Sequence, residues 1–100
     1  MIDVSPAQLE TIKMILHKHV PDCEVRVFGS RSSSKAKRYS DLDLAILGKE
    51  KLPLKLLYDL KEDFEVSNLP FRVDVLDWHR TSQEFRKIIE KNFETINLSF

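Results

Sequence analysis

Residues 27–47 read VFGSRSSSKAKRYSDLDLAIL, and the last seven of them decide the fold. In that segment Leu42 and Leu44 point to one face of a β-strand, whereas Asp41 and Asp43 point to the other. The leucines belong in a hydrophobic core, so the two aspartates face solvent or a ligand. The segment therefore predicts a strand with one apolar face and one acidic face.

Helices and two further strands are predicted on either side of this strand. Ser5, Pro6 and Gln8 form a helix start with a capping box, and an amphipathic helix continues to near Pro21. The remaining pattern predicts a strand over 25–28, a helix over 53–67, a strand over 71–76 and a last helix that starts with the capping box of Thr81 and Glu84.

The apolar spacing of the last two helices predicts which of their side chains are buried. For the helix over 53–67 these are Leu54, Leu57, Leu60 and Phe64, and for the last helix Phe85, Ile88, Ile89, Phe93 and Ile96. The order of elements predicts an α/β (α+β) fold, in which a small mixed sheet of three to four strands carries the helices on one face.

Length and composition limit the classes of protein. At 100 residues, 42% of them hydrophobic and 32% charged, the chain is typical of one globular domain over residues 1–100 and not of a disordered or membrane-spanning protein. A single cysteine, Cys23, excludes an internal disulfide and suits a reducing compartment. The N-terminus lacks a long apolar run, so we expect no signal peptide and a cytoplasmic location.

Two aspartates at i and i+2 on a strand lie roughly 6 to 7 Å apart and repel each other unless a cation lies between them. Magnesium prefers carboxylate oxygens together with phosphates and water, which suits an open site. Asp74 alternates with Val73 and Val75, so it becomes the third carboxylate if its strand lies beside that of Asp41 and Asp43. These residues predict a site for divalent cations.

A Gly-Ser pair at a strand end offers backbone N–H groups and a hydroxyl to an anion. Gly29 and Ser30 occupy that place, and Arg31 and the lysines of the following loop supply positive charge. Each pattern alone is more typical of a turn or a solvated face. Gly-Ser, ten residues and Asp-x-Asp together are expected by chance in only about one in a thousand chains of this size.

With these residues the sequence resembles the polymerase-β-like nucleotidyltransferase superfamily, whose signature is Gly-Ser, a spacer, Asp-x-Asp and a third Asp on a later strand. More narrowly it resembles the minimal nucleotidyltransferases, the MntA-type antitoxins encoded beside HEPN-domain toxins. The resemblance implies that Asp41, Asp43 and Asp74 are catalytic and hold two Mg²⁺ ions. It also implies that Gly29 and Ser30 bind the β- and γ-phosphates of ATP, with Arg31 as a further phosphate contact.

The function that the resemblance implies is transfer of AMP from ATP to a hydroxyl, expected to be that of a tyrosine, on a partner HEPN toxin. The small size of the chain agrees with this, because one domain leaves the other wall of an acceptor site to a second chain. Two alternatives remain open. One is a nucleotidyltransferase for a small molecule or an RNA end, and the other is an antitoxin that neutralises its partner by binding alone. Homo-oligomeric and hetero-oligomeric states are both left open.

Overall fold

The computed structural model describes residues 2–32 and 40–98, apart from the side chains of Ser30 and Ser32. In this part of the chain the helices are α1 (Pro6–His19), α2 (Leu54–Glu65) and α3 (Gln83–Lys91), and the strands are β1 (Glu24–Phe28), β2 (Leu42–Leu47), β3 (Val73–Asp77) and β4 (Glu94–Ile96). Short 3₁₀ turns follow β1 (Gly29–Ser32) and β3 (Trp78–Arg80). None of the helices within these described ranges is long and apolar enough to cross a membrane.

The four strands form one mixed sheet in the order β3-β2-β1-β4. β1 pairs antiparallel with β2 and β4, whereas β2 and β3 run parallel and are connected through α2. The predicted mixed sheet with helices is confirmed. The sequence interpretation missed β4, because its three residues follow directly on the amphipathic pattern of the last helix.

The main hydrophobic core lies between the sheet and the helices α1 and α2. The capping box of α1 is confirmed, since Gln8 N donates to Ser5 Oγ and Ser5 N donates to Gln8 Oε1. The helices contribute Ile12, Leu16, Leu57, Leu60 and Phe64 to this core, and the strands contribute Val25, Val27, Leu42, Leu44, Ile46 and Val75. The apolar faces of the first three strands are therefore buried as predicted.

The opposite face of the sheet carries the third helix, which differs from the prediction that the helices lie on one face. Phe85 of α3 contacts Phe28 of β1 edge to face, with ring centroids 5.9 Å apart. On the same face the Arg26 guanidinium lies 4.3 Å above the ring of Phe93 and 5.1 Å above that of Trp78. The acidic face of the sheet is thus open only where α3 leaves it uncovered.

The start and the burial of α3 also differ from the prediction. The N-cap is Ser82, whose Oγ accepts from Phe85 N, rather than Thr81, whose hydroxyl donates to the Asp77 carbonyl. Ile89 is buried as predicted, but Phe85 and Ile88 are 38% and 58% exposed. Leu54, at the start of α2, is also an exposed residue. A helix at the margin of a small sheet buries only part of its apolar stripe, and spacing alone does not show which part.

Asp77 is a buried carboxylate that fixes the end of β3. Its oxygens accept hydrogen bonds from the backbone N–H groups of Leu52 and His79, at 2.9 and 3.1 Å, and Arg80 Nε lies 3.3 Å away. These contacts join the segment before α2 to β3. They hold the crossover that sets the parallel register of β2 and β3.

Candidate active site

Three carboxylates meet at one end of the sheet. In the parallel register of β2 and β3, Asp43 stands directly opposite Asp74. Asp41 lies one residue before β2, where Leu42 N donates to the Arg72 carbonyl at 2.8 Å and joins the beginnings of the two strands. The predicted adjacency of the strands is confirmed, and it brings together residues that lie about thirty positions apart in the sequence.

Arg72 lies among these carboxylates, and the sequence interpretation gave it no role. Its Nη2 atom lies 3.0 Å from Asp74 Oδ2 and 3.5 Å from Asp41 Oδ2. The available sequence signal was its position two residues before Asp74, which places both side chains on the same face of the strand. The guanidinium partly neutralises the acidic cluster, although its side chain is 71% exposed and the ion pairs are therefore screened by water.

The pKa of Asp43 is raised to about 6. Partial burial is the largest cause, the negative charges of Asp74 and Asp41 add to it, and the positive charge of Arg72 opposes it. The carboxylate of Asp43 thus lies in a negative field that one guanidinium does not neutralise. A further cation beside it would favour its charged form.

Gly29 begins the 3₁₀ turn after β1 and lies against Asp43. Its φ of 74° is in the left-handed region that favours glycine. A Cβ atom at this position would collide with Asp43 Oδ2. Glycine therefore lets the backbone of the turn approach the carboxylate of Asp43. The preceding residue, Phe28, is the one that stands opposite Asp43 in the β1–β2 register.

Of the other predicted phosphate contacts, the Ser30 side chain and the loop residues 33–39 lie outside the described part. Arg31 is only 6% exposed, and its guanidinium donates to the carbonyls of Ser40 and Asp3, both at 2.8 Å. It also lies 4.1 Å above the ring of Phe71. These contacts hold the turn after β1 to the N-terminal segment and to the start of β2, and the contact of Arg31 with phosphate stays a prediction.

The donor chemistry of this site fits a divalent cation. Asp41 and Asp74 already share one positive group, and the raised pKa of Asp43 marks negative charge that a cation would offset. Across residues 2–32 and 40–98, however, no three His, Cys, Asp or Glu side chains are arranged to hold a metal ion. A divalent cation would therefore have to displace the Arg72 guanidinium and draw the carboxylates together.

The chain is similar to known proteins over most of its length. The family model "Polymerase beta, Nucleotidyltransferase" matches residues 10–97. The chain is 50% identical, over 95 residues, to the "Probable protein adenylyltransferase MntA" of Haemophilus influenzae (strain ATCC 51907 / DSM 11121 / KW20 / Rd). That match covers 95% of this chain and 83% of the relative.

Solved structures show the same fold. A toxin-antitoxin crystallised with AMP-PNP is 24% identical, with a TM-score of 0.73 over 87% of this chain and 70% of that one. A MntA-HpeT toxin-antitoxin with two Asp→Glu substitutions is 22% identical, with a TM-score of 0.72 over the same shares. Because the family model matches residues 10–97 and the Haemophilus influenzae relative is 50% identical, the chain belongs to the polymerase beta nucleotidyltransferase family and is a nucleotidyltransferase.

Proposed function

We propose that this chain is a Mg²⁺-dependent adenylyltransferase that transfers AMP from ATP to a tyrosine hydroxyl of a partner HEPN toxin and acts as the antitoxin of that pair. The observation that carries the proposal is the register that sets Asp43 opposite Asp74, with Asp41 at the same strand end and Gly29 against Asp43. The half-identical relative is named a probable protein adenylyltransferase, which supports AMP as the transferred group.

Each residue of the site then has a role. Asp41 and Asp43 would hold two Mg²⁺ ions, and Asp74 would hold one of them. When bound, the metal ions neutralise charge on the triphosphate and on the oxygens that attack and leave. The turn of Gly29 and Ser30 presents backbone N–H groups to the β- and γ-phosphates, because glycine lets the chain approach closely there.

The proposed reaction is a single displacement at the α-phosphorus of ATP. The tyrosine oxygen forms a bond to this phosphorus, and the bond from the α-phosphorus to the oxygen that bridges to the β-phosphorus breaks. Pyrophosphate leaves with that bridging oxygen and its electron pair. The phenolic proton passes to Asp74, whose carboxylate lies beside that of Asp43 in the sheet.

Structural relatives support a protein partner. The fold neighbours are described as toxin-antitoxin structures, one of them with AMP-PNP. A third, at 20% identity and a TM-score of 0.71 over 95% of this chain and 73% of that one, is a MntA-HpeT complex with a Tyr→Ala substitution. The use of ATP and the free thiol of Cys23 fit a reducing, cytoplasmic compartment.

The test combines the purified chain, the toxin encoded by the neighbouring gene and ATP labelled at the α-phosphate. We expect label on the toxin in the presence of Mg²⁺, none in EDTA, and at least a hundredfold less with Asp41→Asn or Asp43→Asn. Tandem mass spectrometry then assigns the AMP to a tyrosine. Inhibition of the toxin without ATP and without label would instead establish the binding antitoxin, and labelled RNA or a labelled small molecule would establish the other alternative.

A further inference from the structure

A groove lies along the outer edge of β3, next to the carboxylate cluster. It has a volume of about 470 Å³ and runs between the C-terminal half of α2, the segment that follows α2, and β3. Phe64, Leu69 and Phe71 form its apolar wall, and the exposed Lys61 and Glu65 form its rim. Asp74, which stands opposite Asp43 in the sheet, also lines it. A groove of this size falls in the range of about 300–1,000 Å³ that is typical of binding pockets for small molecules and side chains.

We propose that this groove is the acceptor subsite: it takes the aromatic ring of a tyrosine from the partner protein and holds the tyrosine hydroxyl beside Asp74. This inference rests on the proposed function, because it concerns the acceptor of the same reaction. It adds a location for the acceptor and a reason for its chemical class, neither of which follows from the carboxylate cluster alone.

The order of the strands gives the location. Gly29 follows β1, Asp43 lies on β2 and Asp74 lies on β3, so these three positions cross the sheet in one direction. Phosphoryl transfer places the attacking and leaving oxygens roughly in line, on opposite sides of phosphorus. If pyrophosphate is held at the turn of Gly29, the attacking hydroxyl comes from the side of β3, which is the side of the groove.

The lining of the groove gives the chemical class. Phe64 and Phe71 line the groove beside Leu69. Most of each phenylalanine ring is buried in the core, and the part that reaches the groove is apolar surface that a planar aromatic ring can contact. Asp74 and the cationic Lys61 and Arg72 supply polar groups for a phenolic hydroxyl. A serine hydroxyl stands one carbon from its backbone, so the partner's main chain itself would have to enter an apolar groove to present it.

The edge position of β3 makes the groove accessible to another protein. β3 is the last strand of the described sheet and pairs only with β2 there. A segment of a partner chain can therefore approach it without displacing any described element. Adenine is the competing occupant, since it is also a planar ring, and the test below separates the two.

The test fills the groove at its rim and leaves the carboxylates in place. Glu65→Trp puts a large ring on the rim, and Glu62→Trp is the matched control, because both are exposed glutamates of α2 and only Glu65 lines the groove. Lys61→Trp, one turn before Glu65, is a second filling variant. Each variant is assayed for AMP transfer to the neighbouring toxin and, separately, for binding of AMP-PNP with Mg²⁺, after its thermal unfolding confirms that it folds.

We expect Glu65→Trp and Lys61→Trp to lower kcat/KM for the toxin at least tenfold, mainly through KM, while the affinity for AMP-PNP changes less than twofold. Glu62→Trp stays within twofold of the wild type in both assays. A toxin whose acceptor tyrosine is replaced by serine is expected to accept no AMP.

The inference is wrong if both filling variants transfer AMP as fast as the control. It is also wrong if they weaken AMP-PNP binding as strongly as they slow transfer, because that result would indicate that the groove binds the adenine base. Efficient modification of the serine-bearing toxin would also overturn it. Each of these results leaves the proposed function standing. Only the absence of transfer by the wild-type chain would contradict the proposed function itself.

Discussion

Replacement of Asp43 by asparagine is expected to raise the stability of the metal-free protein while it removes AMP transfer. The fold holds this carboxylate half-buried beside Asp74 and Asp41, which raises its pKa to about 6. The asparagine amide has nearly the same shape as the carboxylate but carries no charge, so neither burial nor the neighbouring aspartates disfavour it as they do the charged carboxylate. Most substitutions of a half-buried residue lower stability, so the opposite sign is a specific test of the burial and the repulsion that together raise the pKa of Asp43.

The magnitude follows from the change in pKa between the unfolded and folded chains. A rise from 3.8 to about 6 corresponds to about 3 kcal/mol at about 1.36 kcal/mol per pKa unit. Because the carboxylate is partly exposed and solvent screens its interactions, we expect about 1 kcal/mol. Between the two pKa values the folded chain binds more protons than the unfolded one. The free energy of unfolding of the wild type therefore falls by about 1 kcal/mol as the pH rises from about 4 to 6.

Urea denaturation in EDTA, from pH 3.5 to 8, measures this effect. The wild type and Asp43→Asn should have the same free energy of unfolding near pH 3.5 and differ by about 1 kcal/mol above pH 6.5. Asp22→Asn, at an exposed aspartate in the turn after α1, is the control. If Asp43→Asn is no more stable than the wild type at pH 7.5, or if its gain in stability is the same at every pH, the charge of Asp43 does not destabilise the fold.

Three further substitutions test other parts of the structure. Gly29→Ala should lower the free energy of unfolding by more than about 1–2 kcal/mol, because alanine is strained at a φ of 74° and its Cβ would also collide with Asp43 Oδ2, while Gly48→Ala should cost less; urea denaturation compares them. Asp77→Ala should cost about 2 kcal/mol in the same assay, since it leaves the Leu52 N–H without its buried acceptor. Arg72→Gln should tighten Mg²⁺ binding up to about fivefold in calorimetry, as one exposed ion pair of about 1 kcal/mol no longer competes; weaker binding would contradict this.

Much of the fold could be predicted from local patterns. The start of α1 follows from the reciprocal hydrogen bonds of Ser5 and Gln8, and the faces of β2 follow from strict alternation, since both depend on neighbours in the sequence. The placement of α3 could not be predicted in this way. Which side of the sheet a helix covers depends on tertiary packing, and here its Phe85 packs on Phe28 of the acidic face.

The same distinction between local pattern and tertiary packing applies to the residues of the candidate site. The proximity of Asp43 and Asp74 could be expected once two strands were assumed to be neighbours, and Gly29 was recognisable as the residue for a close turn. The spacing of Arg72 and Asp74 places both side chains on one face of the strand, but it could not predict the ion pairs of Arg72, because these depend on its side-chain conformation. Arg31 has a charge that suits phosphate, yet its buried contacts with two carbonyls depend on segments on both sides of it.

The parallel pairing of β2 and β3 has a consequence for how the chain folds. Parallel neighbours require a long crossover, so we expect Asp43 and Asp74 to meet late in folding, after α2 has docked and about thirty intervening residues are ordered. The repulsion between the carboxylates opposes this late step, and a Mg²⁺ ion bound between them would relieve it. Added Mg²⁺ should therefore slow unfolding more than it accelerates refolding, and the capacity to bind the ion should return only with the last phase of folding.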